Sequence, residues 1–252
     1  MWCLVVGVIG LSAAPAEATV VEQAERAPAI TIEYRLERVA DIGPDLKARF
    51  TPAQLELLEK LNRVDLAHMR RLEHVVVPSA WKDELEHSPF PHTYLAAAHL
   101  PKLLVVDQPA QAFAAYESGQ LTRWGPTSSG RQAKPTPGGL FHLNWRTRLR
   151  NSTLNGEWRL NWYFNFLNAR GLAFHQFDLP GLPASHACVR LLERDAMWIY
   201  QWGQGWTLDA KGQLLQSGTP VLIVGSYAFG APPPWRSIEL LARPIMLPDV
   251  VP

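Results

Sequence analysis

The stretch SHACVRLLERDA, residues 185–196, sets Cys188 directly behind a Ser185-His186 pair and an alanine. A cysteine attacks a carbonyl as its thiolate. It therefore needs a nearby base or cation to favour ionisation, and backbone N–H groups to hold the oxyanion that forms. His175, in AFHQF, stands 13 residues upstream, a separation that a strand, a loop and a turn can fold back onto Cys188. His186 is two residues away and would share a face with Cys188 on an extended segment, while Arg190 adds a fixed positive charge. The run LLERDAMWIYQW reads as a helix with Leu191, Leu192, Ala196 and Ile199 on its apolar side. A Cys188 placed just before that helix would gain from its N-terminal amides and dipole. The chemistry these residues suggest is covalent catalysis by a thiol on a carbonyl substrate.

The surrounding elements must hold that group in place. From Leu103 the grammar is that of strands: LLVVD is an apolar run, QAFAAYES alternates, and Gly119 supplies a turn. TPGGLFHLNW gives another turn and strand, and GTPVLIVG, residues 218–225, a turn followed by a buried strand. Between them, RTRLRNSTLNGEWRLNWYFNFLNARG is dense in arginine, asparagine and aromatics. Upstream, Thr51 as N-cap, Pro52 at the first helical position and Leu55, Leu58 and Leu61 at helical spacing mark a helix. A second short helix and the extended Val75-Val76-Val77 follow, ending at Pro78.

The chain of 252 residues is 47 % hydrophobic, with 10 Trp, 9 Phe and 6 Tyr, enough to bury a sizeable core. Its net charge of +1 gives no general electrostatic reason to bind nucleic acid or an anionic membrane. Residues 1–18, an apolar run closed by Ala16-Glu17-Ala18, read as a secretory signal peptide, although the usual basic leader is missing and an uncleaved anchor is the alternative. Export would place the protein in the periplasm or elsewhere in the cell envelope. Once residues 1–18 are removed, Cys188 is the sole cysteine and has no disulfide partner. Residues 19–43 read as a linker, 44–100 as a helical accessory region, 101–225 as the main domain and 226–252 as a proline-rich tail on the surface. The accessory region weakly resembles a LysM-like glycan-binding module, which implies contact with wall glycan; the alternative is a helical hairpin packed on the main domain.

The motif residues resemble the L,D-transpeptidase catalytic domain family, whose hallmark is an upstream His followed by Ser/Thr-His-Gly-Cys, an aliphatic residue and often Arg. His175 and Ser185-His186-Ala187-Cys188-Val189-Arg190 match it in order, as do SSGRQAKPTPGGLFHL and GTPVLIVG. The likeness implies a mainly β fold with α additions: a β-sandwich catalytic domain with a short helix after the cysteine, joined to the small helical N-terminal region. Two departures are an alanine, Ala187, where the family has glycine, and a His-to-Cys loop, HQFDLPGLPASHAC, a few residues shorter than usual, with Gln176 where a Gly or Ser often follows the histidine. An alanine is expected to exclude a backbone geometry that only glycine tolerates.

By this resemblance, Cys188 attacks a peptidoglycan stem peptide, releases a terminal D-Ala and holds the remainder as a thioester, which the amine of a second stem resolves into a cross-link. Donor and acceptor stem peptides are thus the implied partners. His175 is the implied base, with the Gln176 carbonyl orienting its ring; Ser185 and His186 brace the loop; the Ala187 and Cys188 amides hold the oxyanion. Arg190 is either a clamp for a substrate carboxylate or a structural ion-pair partner. The segment from Arg146 to Arg170 is a candidate lid, with Arg146 to meet carboxylates and Trp145, Trp162 and Tyr163 as flat walls; the alternative is that its aromatics cover the sheet. A hydrolase using the same Cys and His, or a transpeptidase making a 1→3 linkage, fits the same residues. His142 is a second, weaker histidine candidate. The remaining histidines lack metal-ligand spacing, and no metal or organic cofactor is called for. The sequence leaves the oligomeric state open.

Overall fold

The structure, a computed structural model, describes residues 32–43, 45–241 and 243–252. The signal-peptide reading of residues 1–18 and the linker reading up to residue 31 lie outside them. The N-terminal region runs through β1 (Tyr34–Arg38), α1 (Val39–Ile42), α2 (Leu46–Arg49), α3 (Pro52–Asn62), α4 (Leu66–Met69) and β2 (His74–Pro78). The segment read as linker thus contains a strand. β1 pairs antiparallel with β2, Tyr34 opposite Pro78 and Arg38 opposite His74, because the buried Val75–Val77 backbone needs a ladder partner. Helix α3 begins as its sequence requires: Thr51 and Gln54 form a reciprocal capping box and Pro52 fills the first turn. It ends at Arg63, which takes the left-handed conformation at φ 56°.

The main domain comprises β3 (Leu103–Asp107), β4 (Ala112–Glu117), β5 (Gln120–Ser128), β6 (Gly139–His142), β7 (Arg146–Asn151), β8 (Arg159–Leu167), β9 (Leu172–Gln176), β10 (Val189–Leu191), α5 (Glu193–Trp202), β11 (Thr207–Leu208), β12 (Leu214–Gln216) and β13 (Pro220–Val224). Nine of these strands form one sheet in the order β6-β13-β3-β4-β5-β10-β9-β8-β7, and β11 pairs with β12 apart from it. The sandwich arises because this single sheet curls over itself. Leu104, Val106, Phe113 and Ala115 from one half share a core with Phe164, Phe166, Leu172 and Phe174 from the other. Alternation along the same strands sends Leu103, Val105, Ala114 and Tyr116 to the opposite face, where Leu57 and Leu61 of α3 cover them. Strand β3 is therefore buried on both faces, which is why it reads as an unbroken apolar run.

Helix α5 fills the open side of the first core with Ala196 and Ile199. Its Asp195, fully buried, is gripped by Arg123 of β5 through Nε at 2.9 Å and Nη2 at 2.6 Å. The tail carries one short helix, α6 (Ile238–Leu241), and is fastened to the body by Tyr94 Oη donating to the Pro248 carbonyl and by the buried Trp235. No helix among the described residues is long and apolar enough to cross a membrane.

Candidate active site

Strands β9 and β10 are parallel neighbours, with Phe174 opposite Val189 and His175 opposite Arg190. Phe174, Val189 and Leu191 point into the core, so His175 and Arg190 stand on the other face, and Cys188 lies at the mouth of β10. The connection between these parallel strands is the loop 177–188, and the β5–β6 segment braces it. Ser128 Oγ donates to the Leu182 carbonyl at 2.7 Å and accepts from the Ala184 amide at 3.0 Å. The Ser185 amide donates to the Ser129 carbonyl, and the Ser185 carbonyl accepts from the Arg131 amide. Ser185 Oγ donates to the Cys188 carbonyl. Thr136 Oγ1 accepts from the Gly130 amide at 2.8 Å and donates to the Ala187 carbonyl at 3.0 Å.

Ala187 corrects one expectation from the sequence. It takes φ 80°, the left-handed region that alanine was expected to exclude, and the bonds to its neighbours impose this conformation. The helix-dipole expectation is also corrected. β10 intervenes between Cys188 and α5, so the thiol is not at the first turn of the helix, where that field acts.

His175 is buried, at 4 % exposure, and its Nδ1 donates to the Gln176 carbonyl at 3.0 Å, which leaves the Nε2 lone pair free to accept a proton. Burial, aided by the charge of Arg190, pushes its pKa down to about 4. Burial pushes the Cys188 thiol up, against the pull of the Ala173 amide and of Arg190 and Arg150. At neutral pH the resting site therefore holds a neutral thiol beside a neutral imidazole. His186 packs at 5.5 Å from the Trp158 ring, and desolvation together with Arg131, Arg190 and Lys134 lowers its pKa.

Cys188, His175, Ser185, His186, Ala187, Arg190 and Tyr163 all line one cavity of about 300 Å³. Lys134, Arg150, Arg170 and Arg190 give its wall four cations, and among the described residues no carboxylate lines it. Arg190 lies over the Phe177 ring at 4.5 Å and donates to the Asp178 carbonyl at 3.4 Å, and it makes no ion pair among the described residues. Among those residues no three His, Cys, Asp or Glu side chains gather as metal ligands would.

Other residues named from the sequence lie elsewhere. Arg146 is across the sheet: it stands opposite Phe164, stacks on Tyr200 at 4.9 Å and donates to the Gly203 carbonyl at 3.0 Å. Trp162 packs into the core against Tyr200, with Arg148 above its ring at 3.7 Å. The cause is a bulge in β8, where Trp162 takes φ 55° and the register against β9 shifts between Asn161 and Phe164. Trp145 stands behind the cavity wall, stacked on Tyr163 at 5.2 Å with Arg150 above it. The Gln176 side chain accepts from Asn161, and only its carbonyl reaches His175. His142 lies on the edge strand β6, away from the cavity. The candidate lid is mostly the β7–β8 hairpin, which reaches the cavity with its tip, from Ser152 to Trp158, and with Arg150, Leu160 and Tyr163 of its strands. Lys134 and Arg170 were not singled out in the sequence; each is a cation beside a turn of the motif region, ahead of Thr136-Pro137 and of Gly171.

A family model described as the L,D-transpeptidase catalytic domain matches residues 101–223. Solved structures similar to this chain include an L,D-transpeptidase from Stackebrandtia nassauensis, 22 % identical with a TM-score of 0.42, over 51 % of this chain and 58 % of that one. An L,D-transpeptidase from Mycobacterium smegmatis is 20 % identical with a TM-score of 0.40, over 50 % and 59 % of the two chains. L,D-transpeptidase 3 from Mycobacterium tuberculosis is 19 % identical with a TM-score of 0.40, over 50 % and 61 %. The chain thus spans less than two thirds of the length of each. No relative was found among curated proteins.

Proposed function

From the premise that residues 101–223 are a catalytic domain of the L,D-transpeptidase family, we propose that this protein is an exported peptidoglycan L,D-transpeptidase. The observation that carries the reading is the placement of Cys188, directly before β10, and the buried, neutral His175, on the parallel neighbour β9, in one cavity whose charged lining residues are all cations among the described residues. A stem peptide bears several carboxylates, and Lys134, Arg150, Arg170 and Arg190 are suited to hold them. Arg190, without an ion-pair partner among the described residues, acts here as a carboxylate clamp.

In the acylation step, the Cys188 sulfur bonds to the carbonyl carbon preceding the terminal D-Ala while His175 Nε2 takes the thiol proton. The backbone amides of Ala187 and Cys188 receive the oxyanion. Collapse breaks the C–N bond, the leaving amine takes the proton back from His175, and a thioester remains on Cys188. An amine from a second stem then attacks the thioester carbonyl and gives its proton to His175. As the C–S bond breaks, the sulfur recovers that proton and the thiol is restored. Because both partners rest neutral, the proton moves as the sulfur attacks, not beforehand.

The test is mass spectrometry of the protein incubated with disaccharide-tetrapeptide muropeptides, beside Cys188→Ala. Cross-linked dimers and a thioester adduct, both absent from the variant, are the expected result, and fragmentation gives the linkage. Shortened monomers alone would replace the reading with a hydrolase, and products that persist in Cys188→Ala would remove Cys188 from the chemistry.

A further inference from the structure

Among the described residues, those lining the cavity run from Lys134 to Arg190, and none belongs to the N-terminal region. That region nevertheless grips the loop joining the base to the nucleophile. Asp65, between α3 and α4, satisfies both backbone groups of Leu179: its Oδ2 accepts from the Leu179 amide at 2.8 Å, and its own amide donates to the Leu179 carbonyl at 3.1 Å. Val64 forms an antiparallel bridge with Pro180. Gly181 continues the contact at φ 81°, where an added Cβ would come within 2.7 Å of the Val64 side chain. Val64 and Leu179 are both fully buried.

The gripping element is itself anchored to the catalytic half. Glu59 of α3 accepts from Arg194 of α5 at 2.6 Å through one oxygen and from the Leu66 amide at 2.7 Å through the other. Arg63, at the end of α3, donates from Nε to the Ala110 carbonyl of the main domain at 2.9 Å. Arg194 lies just beyond β10, so the N-terminal region touches the Cys188 segment on both sides: at Leu179-Pro180 before it and at Arg194 after it. Without the Asp65 carboxylate the buried Leu179 amide loses its acceptor, and the side-chain ties left to the loop are those of Arg190 on the Asp178 carbonyl and of Ser128 on Leu182 and Ala184.

We infer that Asp65 is a positioning residue: through Leu179 it fixes the loop that sets Cys188 against His175, and this is a task of the N-terminal helical region in the reaction. The inference rests on the proposed transpeptidase reading for its activity readout, and alkylation of Cys188 provides a second readout independent of any substrate.

The experiment compares the full chain with Asp65→Ala, Asp65→Asn and Asp45→Ala. Asp65 also caps α4 by accepting from the His68 amide at 2.8 Å; Asp45 caps α2 on the exposed surface, so its loss imposes a similar helix-end defect without touching the loop. Each protein is assayed for cross-linking per titrated thiol and for the rate of iodoacetamide alkylation of Cys188 as a function of pH. Asp65→Ala is expected to lower kcat by about 10- to 100-fold at nearly unchanged KM, the range a misplaced reacting group produces. It should also shift the pH profile of alkylation. Asp65→Asn keeps an acceptor oxygen and should recover most of the rate, and Asp45→Ala should match the parent in both assays. If Asp65→Ala merely melts earlier, with kcat per thiol and alkylation profile unchanged, the inference is overturned. If the parent forms no cross-links, the functional reading fails and the alkylation profile alone decides: a shift specific to Asp65→Ala upholds positioning, and coincident profiles end it.

Discussion

Replacing His175 by glutamine removes the buried imidazole of the cavity while leaving a side chain able to donate to the Gln176 carbonyl. In the folded protein the His175 pKa is about 4, against 6.5 for an unperturbed imidazole. The folded state therefore binds this proton more weakly than the unfolded chain does. The neutral form's contribution to stability is full above pH 6.5 and is lost as pH falls through the window down to about 4. A one-proton difference between the two states is worth about 1.4 kcal/mol for each pH step of one, so acidification should cost about 2 kcal/mol between pH 7 and pH 5 and about 3 kcal/mol by pH 4. Other groups titrate over the same range, but they are common to both proteins and cancel in the difference. The assay is urea unfolding of the parent and His175→Gln at a series of pH values. The stability difference, parent minus variant, should fall by about these amounts as the solution is acidified. A difference that stays constant to within about 0.5 kcal/mol would refute a neutral, desolvated His175 and with it the base assigned to the reaction.

Ala187→Gly should relieve the strain of a left-handed alanine and raise the urea midpoint by the equivalent of up to about 1 kcal/mol with activity retained; a loss of that size would show that φ 80° is not strained here. Arg123→Ala strips the partner from the fully buried Asp195, and thermal and urea unfolding should show a cost of about 3–5 kcal/mol; a change below about 1 kcal/mol would mean that water or another donor replaces the guanidinium. Lys134→Ala and Arg170→Ala should raise KM for anionic stem peptides more than they lower kcat, and the remaining binding should depend less on salt; unchanged KM would remove these cations from substrate recognition.

The proposed nucleophile and base, and their order, were legible because they sit in short local patterns: His175 in an alternating strand, and Cys188 in a turn before a short strand. The start of α3 was equally legible, since Thr51, Pro52 and Gln54 act within a single turn. What could not be read was side-chain facing beyond an irregularity. One extra residue in β8 is enough to send Trp162 into the core, and Arg146 reaches instead to Tyr200 and the Gly203 carbonyl, although both were assigned to the substrate. Arg150, from the same hairpin, does reach the cavity. The backbone of Ala187 was misjudged for a related reason: residue type sets only a preference, and hydrogen bonds from Thr136 and Ser185, 51 and 2 positions away, override it. The grip of Asp65 on Leu179 joins residues 114 positions apart and leaves no local trace.

The raised thiol of Cys188 bears on how long such a protein can work. Peroxide and disulfide reagents attack thiolates far faster than thiols, so a sulfur that stays protonated until substrate arrives offers oxidants little to react with. With no second cysteine among the described residues, a sulfenic acid formed there could not be resolved within that part of the chain. In the exported enzyme we propose, a thiol held protonated would thus serve endurance as much as chemistry: the site forgoes a standing thiolate and keeps Cys188 reduced between turnovers.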